Sequence, residues 1–196
     1  MLSVLEPGSG VVFMRVGTHA DEPLEVIVER KLKEIEQVGQ AFWGYGGLNC
    51  HPRSVVQPYA EEIVAAGGKV RLCMEEVAPD RETYWANAEA ASEWSIDGIN
   101  FRPLPEGIRV TGSRYAFIIT RLRLEQFDLP LSRARVAAGP SRGRLGANYV
   151  DEVGGPVDKA VLRVEGEAGE AANSGIETVP ISYIADLQRP YAVFLR

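Results

Sequence analysis

A chain of 196 residues, 45% hydrophobic and 24% charged, has the composition of an ordinary globular protein and can bury a core without disulfide or metal staples. Its net charge of −6 argues against broad, nonspecific coating of nucleic acid, though not against a local basic groove. Two cysteines, Cys50 and Cys73, are too few for a disulfide framework and read as free thiols in a reducing cytoplasm. No apolar run approaches the ~20 residues needed to cross a membrane, and the N-terminus lacks the basic and apolar regions of a secretory signal. A cytoplasmic protein of one domain over residues 1–196 is expected, with no membrane partner.

In chain order, Val11–Val16 is a short apolar run of strand-forming residues and reads as a buried first strand. Asp21 is placed to cap a helix, with Glu22, Pro23 and Glu25 in its first turn. Leu24, Ile27, Val28, Leu32, Ile35 and Val38 then recur at helical spacing and form one apolar stripe, which Gly39 ends. Residues 40–45 read as a second strand. Ser54 and Gln57 have the spacing of a capping box, and Pro58 is tolerable in a first turn. Val56, Tyr59, Ile63 and Val64 form the inward stripe of that helix, and Lys69–Val77 reads as a third strand. Strand, helix, strand, helix, strand predicts parallel neighbours with helices packed on the sheet.

Asp80–Glu93, rich in Ala and Glu, is expected to be a third helix, and Trp94–Pro105 to be irregular. Ile108–Thr111 and Tyr115–Leu124 flank Gly112-Ser113-Arg114 and read as a β-hairpin. Asp128–Gly146 reads as loop or edge strand and Val157–Val164 as a strand. Glu165–Glu177 reads as a surface loop, with closing strands at Val179–Ile184 and Tyr191–Leu195. The fold class is therefore mixed α/β: an N-terminal β-α-β-α-β unit (residues 1–78), a helical and irregular segment (79–105), and a mostly β C-terminal half (106–196).

Two constellations carry chemistry. The first is Phe42–Ser54, where three glycines and three aromatics run into Asn49, Cys50, His51 and Arg53 before a helix start. A strand-to-helix loop in an α/β sheet is where ligands usually bind, and helix N–H groups attract anions. Gly46 and Gly47 let the backbone approach a ligand, Arg53 offers a charge-assisted hydrogen bond and Asn49 a neutral one. Trp43 and Tyr45 offer flat faces for a base or sugar. The competing reading is a tight turn with Trp43 in the core. Neither a P-loop nor a dinucleotide fingerprint is present. Cys50, near a helix N-terminus and beside His51, is a candidate nucleophile with His51 or His19 as base. A buried, inert thiol is the commoner outcome. Metal-ligand spacings are absent, and nothing calls for a cofactor.

The second constellation is Leu131–Gly146, where Arg133, Arg135, Arg142 and Arg144 occur without an intervening acid. Guanidinium pairs bidentately with phosphate oxygens, and Arg133 and Arg135 on one strand would share a face. Arg121 and Arg123 would extend that stripe from a neighbouring strand, with Tyr149 and Lys159 nearby. The competing reading is an edge strand protected by charge plus a solvated turn. Glu75-Glu76 could be an acid–base pair or a solvated strand end, and Trp85 and Trp94 read as core or interface.

The leading expectation is a protein binding a phosphate-bearing ligand, a nucleotide or short nucleic-acid segment, between the Trp43–Arg53 loop and the arginines at 133–144. A hydrolase or transferase using Cys50 is the alternative from a second class. A third is a homo-oligomeric interaction protein using Tyr191–Leu195 at its interface.

Overall fold

The computed structural model describes residues 5–46, 53–77, 89–150, 159–169 and 175–196. The N-terminal half runs β1 (Gly10–Val16), α1 (Leu24–Val38), β2 (Ala41–Tyr45), α2 (Arg53–Ala65) and β3 (Val70–Glu76). The rest is mostly strand: β4 (Glu93–Ser95), β5 (Arg102–Pro103), β6 (Tyr115–Pro130), β7 (Ala134–Val136), β8 (Lys159–Val164) and β9 (Thr178–Leu195). A single helical turn, α3 (Gly146–Tyr149), interrupts it. The mixed α/β class and the β-α-β-α-β opening are as the sequence pattern implies.

The described strands form one mixed sheet in the order β2-β6-β9-β3-β1-β8-β7, with β4 on β9 and β5 on β4. Only β1 and β3 are parallel neighbours, Gly10 opposite Val70 through Val16 opposite Glu76. The expectation of three adjacent parallel strands is corrected: β2 pairs antiparallel with β6, and the long β6–β9 pair separates it from β3. Long antiparallel partners win because β6 and β9 run 16 and 18 residues and bury more than a short β2 could against β3.

Alternation sorts the core onto two faces. Val12, Met14, Val16, Leu72, Met74 and Trp43 lie beneath α1 and α2, meeting Leu24, Ile27, Val28, Val56, Tyr59 and Ile63. Val11, Phe13, Cys73 and Leu162 face the other way, against Leu131, Ala147 and Val150. At the β2 end of that face, Phe42, Ile118 and Val193 pack under Trp94, Ile108 and Val110. Burial on both faces explains why β1 reads as one continuous apolar run rather than as an alternation.

Several local expectations are revised. Asp21 does not cap α1: it has φ 62°, and Pro23 precedes the first helical residue with no side-chain cap. Leu32 is 43% exposed, while Lys31 and Glu34 occupy the inward face. Ser54 lies inside α2, Pro58 falls in its second turn, and Val64 is exposed. The 108–124 hairpin does not form; Thr111 makes a single bridge to Ala90, and Tyr115 onward joins β9. Most of the expected third helix lies outside the described residues, and its end, Glu93, starts β4. The two closing strands are one, β9, and part of the segment expected to be irregular, 94–105, carries β4 and β5.

Tyr59 shows how tightly α2 is seated. Its buried hydroxyl lies 2.6 Å from the Leu162 carbonyl and 3.2 Å from that of Val11, bridging β8 and β1. A Cβ at Gly10 would sit 2.5 Å from that hydroxyl and 3.1 Å from a Val70 methyl. Tyr59→Phe is expected to destabilise the protein by about 1–2 kcal/mol, and Gly10→Ala by about 1–3 kcal/mol, in urea unfolding. The double variant should lose less than the sum, because removing the hydroxyl makes room for the methyl. Strict additivity would show that the hydroxyl does not fix the spacing at Gly10.

Candidate functional site

The structure gathers a cleft where β1 ends, α1 begins and β2 ends, closed on its third side by residues 109–113. With its solvent-filled mouth it encloses about 740 Å³. Its apolar wall comes from Met14, Val16, Leu24, Ile27 and Val110, and its polar wall from His19, Glu22, Arg30, Lys31, Arg109, Thr111 and Ser113. Trp43, Gly44, Tyr45 and Gly46 form the β2 side.

The polar wall is built in layers. Behind it, on the sheet face that carries Phe13, Arg15 on β1 pairs with Glu75 on β3 at 2.8 Å, so Glu75 serves as a counter-ion rather than half of an acid–base pair. Arg30 pairs with Glu22, whose carboxyl is held below the usual range chiefly by that hydrogen bond. Lys31 and Glu34, one helical turn apart and nearly inaccessible, form a buried pair with Nζ 2.9 Å from both carboxylate oxygens. Together they hold one residue of the facing segment. Lys31 Nζ donates to the Arg109 carbonyl at 2.6 Å, and the Arg109 N–H donates to Glu34 Oε1 at 3.1 Å. Burial lowers the Lys31 ammonium to about 8, against the opposing attraction of Glu34.

Two polar atoms of this wall stand out. Thr111 is 7% exposed, and its buried Oγ1 has no hydrogen-bond partner among the described residues; Arg30 Nε is in the same state. Buried polar groups nearly always find partners, so orphans on a cleft wall mark where a ligand or an ordered water would donate and accept.

Beside Thr111, His19 Nε2 lies 3.0 Å from the Thr111 carbonyl, which can only accept, so Nε2 carries the proton in that contact. The Ser113 hydroxyl donates to the same carbonyl at 3.1 Å and sits 3.5 Å from Nε2. In this arrangement His19 is not poised as a base toward Ser113. Gly44 is required here, because a Cβ would overlap Ser113 Oγ and Val110.

The residues expected from sequence are distributed unevenly. Trp43, Tyr45, Gly46 and His19 reach the cleft, but both aromatics belong to the core. Trp43 is 4% and Tyr45 1% exposed, and Tyr45 stacks on Phe117 at 3.9 Å and on Tyr115 at 5.4 Å. Their faces are occupied, which corrects the expectation of an open stacking platform. Arg53 points its Nε to the Ala192 carbonyl at 3.2 Å. Gly47, Asn49, Cys50 and His51 lie outside the described residues. Cys73 is fully buried and its thiol pushed up to about 12 by burial, leaving it inert.

The arginine segment sits elsewhere. β7 ends the sheet at the opposite end from β2, with five strands between. The two constellations therefore do not form walls of one groove. Arg133 belongs to a 3-10 turn rather than to a strand shared with Arg135, and β6, which carries Arg121 and Arg123, does not neighbour β7. Arg133 donates to the Gly166 carbonyl, Arg135 to that of Gly143 and Arg144 to that of Asn148 in α3, so three guanidiniums are engaged by backbone carbonyls of this region. Arg142 is exposed, and Lys159 is buried at 4% exposure. Tyr191, Ala192 and Val193, expected at an oligomer interface, are buried within this chain, where β9 pairs with β6 and β4.

Among the described residues, no group of three His, Cys, Asp or Glu gathers as metal ligands, and no helix is long and apolar enough to cross a membrane. The chain matches no family model, and neither curated proteins nor solved structures show significant similarity to it.

The residues that sequence reading passed over are Arg30, Lys31, Glu34, Arg109 and Thr111. Lys31 and Glu34 were legible in principle, since both fall on the inward arc defined by Leu24, Ile27 and Val28. Glu34→Gln, which leaves Lys31 buried opposite a neutral amide, is expected to destabilise the protein by about 3–5 kcal/mol in denaturant unfolding. The pH dependence has a definite sign. Between about 8 and the ordinary lysine value of 10.5, the unfolded chain holds a proton that the folded chain has released, so this group makes stability rise with pH. Relative to Lys31→Met/Glu34→Leu, the wild type should gain about 1–3 kcal/mol from pH 7.5 to 10. A constant difference would show that Lys31 titrates as an ordinary lysine.

Proposed function

We propose that the protein binds a small phosphate-bearing molecule in the cleft between α1, the end of β1 and residues 109–113. The observation that carries this reading is the pair of orphaned polar atoms, Arg30 Nε and Thr111 Oγ1, on one cleft wall. A donor on a guanidinium and a hydroxyl that can donate or accept suit an oxyanion, and satisfying them removes a desolvation penalty the empty site carries.

The charge on the lining supports an anion. Arg30, Lys31 and Arg109 face the carboxylates Glu22 and Glu34, so three cations meet two anions. A small molecule suits the site better than a nucleic-acid segment. The cleft is short and apolar on its other wall, the aromatic faces of Tyr45 are stacked inside the protein, and three arginines of the basic segment are tied to backbone carbonyls.

A thermal-shift screen of inorganic phosphate, phenyl phosphate, mononucleotides and short oligonucleotides tests the reading. A ligand at a hundredfold excess over Kd stabilises the folded state by about 2.7 kcal/mol, a visible rise in Tm. The expected result is stabilisation by small phosphates, diminished in Thr111→Val and intact in Arg142→Ala/Arg144→Ala. Stabilisation by oligonucleotides alone, abolished in the double arginine variant, would move the site to the β7 edge.

A further inference from the structure

We propose that Arg109 is the residue that grips the anion in this cleft, and that the buried Lys31–Glu34 pair exists to position it. The inference rests on the phosphate-binding reading above and deepens it by naming the ligating guanidinium and its support.

Two of the three cations whose side chains face the cleft already have a carboxylate: Arg30 has Glu22 and Lys31 has Glu34. Lys31 has spent its three donors on the two Glu34 oxygens and the Arg109 carbonyl. Arg109 differs. Its guanidinium forms no ion pair or hydrogen bond among the described residues, and the nearby carboxylate whose charge it feels, Glu22, is already engaged by Arg30.

The backbone of Arg109 is held as firmly as its side chain is free. Both its N–H and its C=O are taken by the buried pair, at 3.1 and 2.6 Å. Burying a lysine and a glutamate together is weak evidence for stability, because desolvation offsets their attraction. Here the pair does something an apolar substitute could not, since it satisfies the donor and the acceptor of a single residue on the facing segment. A guanidinium on a fixed stem loses less freedom when it closes on an oxyanion, which strengthens binding without a new contact. Two residues on, Thr111 presents its orphaned hydroxyl to the same cleft.

The test is calorimetric titration of phenyl phosphate, chosen because the remaining wall is apolar, into wild type, Arg109→Ala, Arg109→Lys and Lys31→Met/Glu34→Leu at low and moderate salt. Arg109 is exposed, so its variants should stay folded. Arg109→Ala is expected to weaken binding about tenfold or more and to flatten its salt dependence, with Arg109→Lys in between. The apolar double variant, folded by circular dichroism, should weaken binding several-fold while keeping the salt dependence of the wild type, because the charge remains but is no longer fixed. Should the double variant fail to fold, Arg109→Ala decides alone. Wild-type binding that Arg109→Ala leaves within about twofold overturns this inference and spares the phosphate reading. Absence of wild-type binding to both phenyl and inorganic phosphate overturns both.

Discussion

The arrangement around the cleft depends on one interaction, the grip of the buried Lys31–Glu34 pair on the backbone of Arg109. Backbone hydrogen bonds tie the 104–113 segment to residues 89–92, but its other contacts with α1 are apolar and nondirectional. A lysine and a glutamate one turn apart supply direction. One donates to a carbonyl, the other accepts from an N–H, and both groups belong to the same residue. Together with the backbone bonds of Val110 and Gly112 to Ala91 and Glu89, that sets where Thr111 and Ser113 stand against α1, and the Thr111 carbonyl in turn holds His19 on the loop after β1. An ion pair that contributes little net stability can in this way determine the shape of a site.

The order of the strands keeps the two basic regions apart. The β6–β9 pair, with its register shifts between Phe117 and Phe127, crosses the middle of the molecule and pushes β2 to one edge. β7 closes the opposite edge, where Arg133, Arg135 and Arg144 donate to backbone carbonyls. Guanidiniums used in this way cover an exposed edge and keep it from pairing with other chains. The cleft side has the reverse arrangement: Arg30 and Lys31 are paired, and the exposed Arg109 guanidinium has no ion pair among the described residues.

Much of the fold is legible in the sequence because its signals are local. The helical recurrence of Leu24, Ile27 and Val28, the apolar run at Val11–Val16 and the glycine after Val38 each determine their own neighbourhood. Gly39 takes φ 86°, and its N–H closes on the Ile35 carbonyl, as the end of a helix requires. What escapes is non-local. Nothing near Ala41–Tyr45 says that its partner is Tyr115–Ile119, and nothing near Gly112 says that Tyr115 pairs with Phe194 rather than folding back on Ile108. The site is hidden for the same reason. Lys31 and Glu34 interrupt an apolar stripe, and their role is visible only once Arg109, 78 residues from Lys31, lies against them. Trp43 and Tyr45 drew attention by composition, yet their bulk fills the core.

The central claim is that a small anion sits between Arg30, Arg109 and Thr111 rather than on the arginines at the far edge of the sheet. Nitrogen–proton NMR correlation of the arginine Nε–Hε groups, recorded while phenyl phosphate is added, reads each guanidinium separately. The account predicts that Arg30 and Arg109 shift together and saturate at one common concentration, with Arg133, Arg135, Arg142 and Arg144 unmoved. Saturable shifts confined to those four, with Arg30 and Arg109 silent, would contradict it.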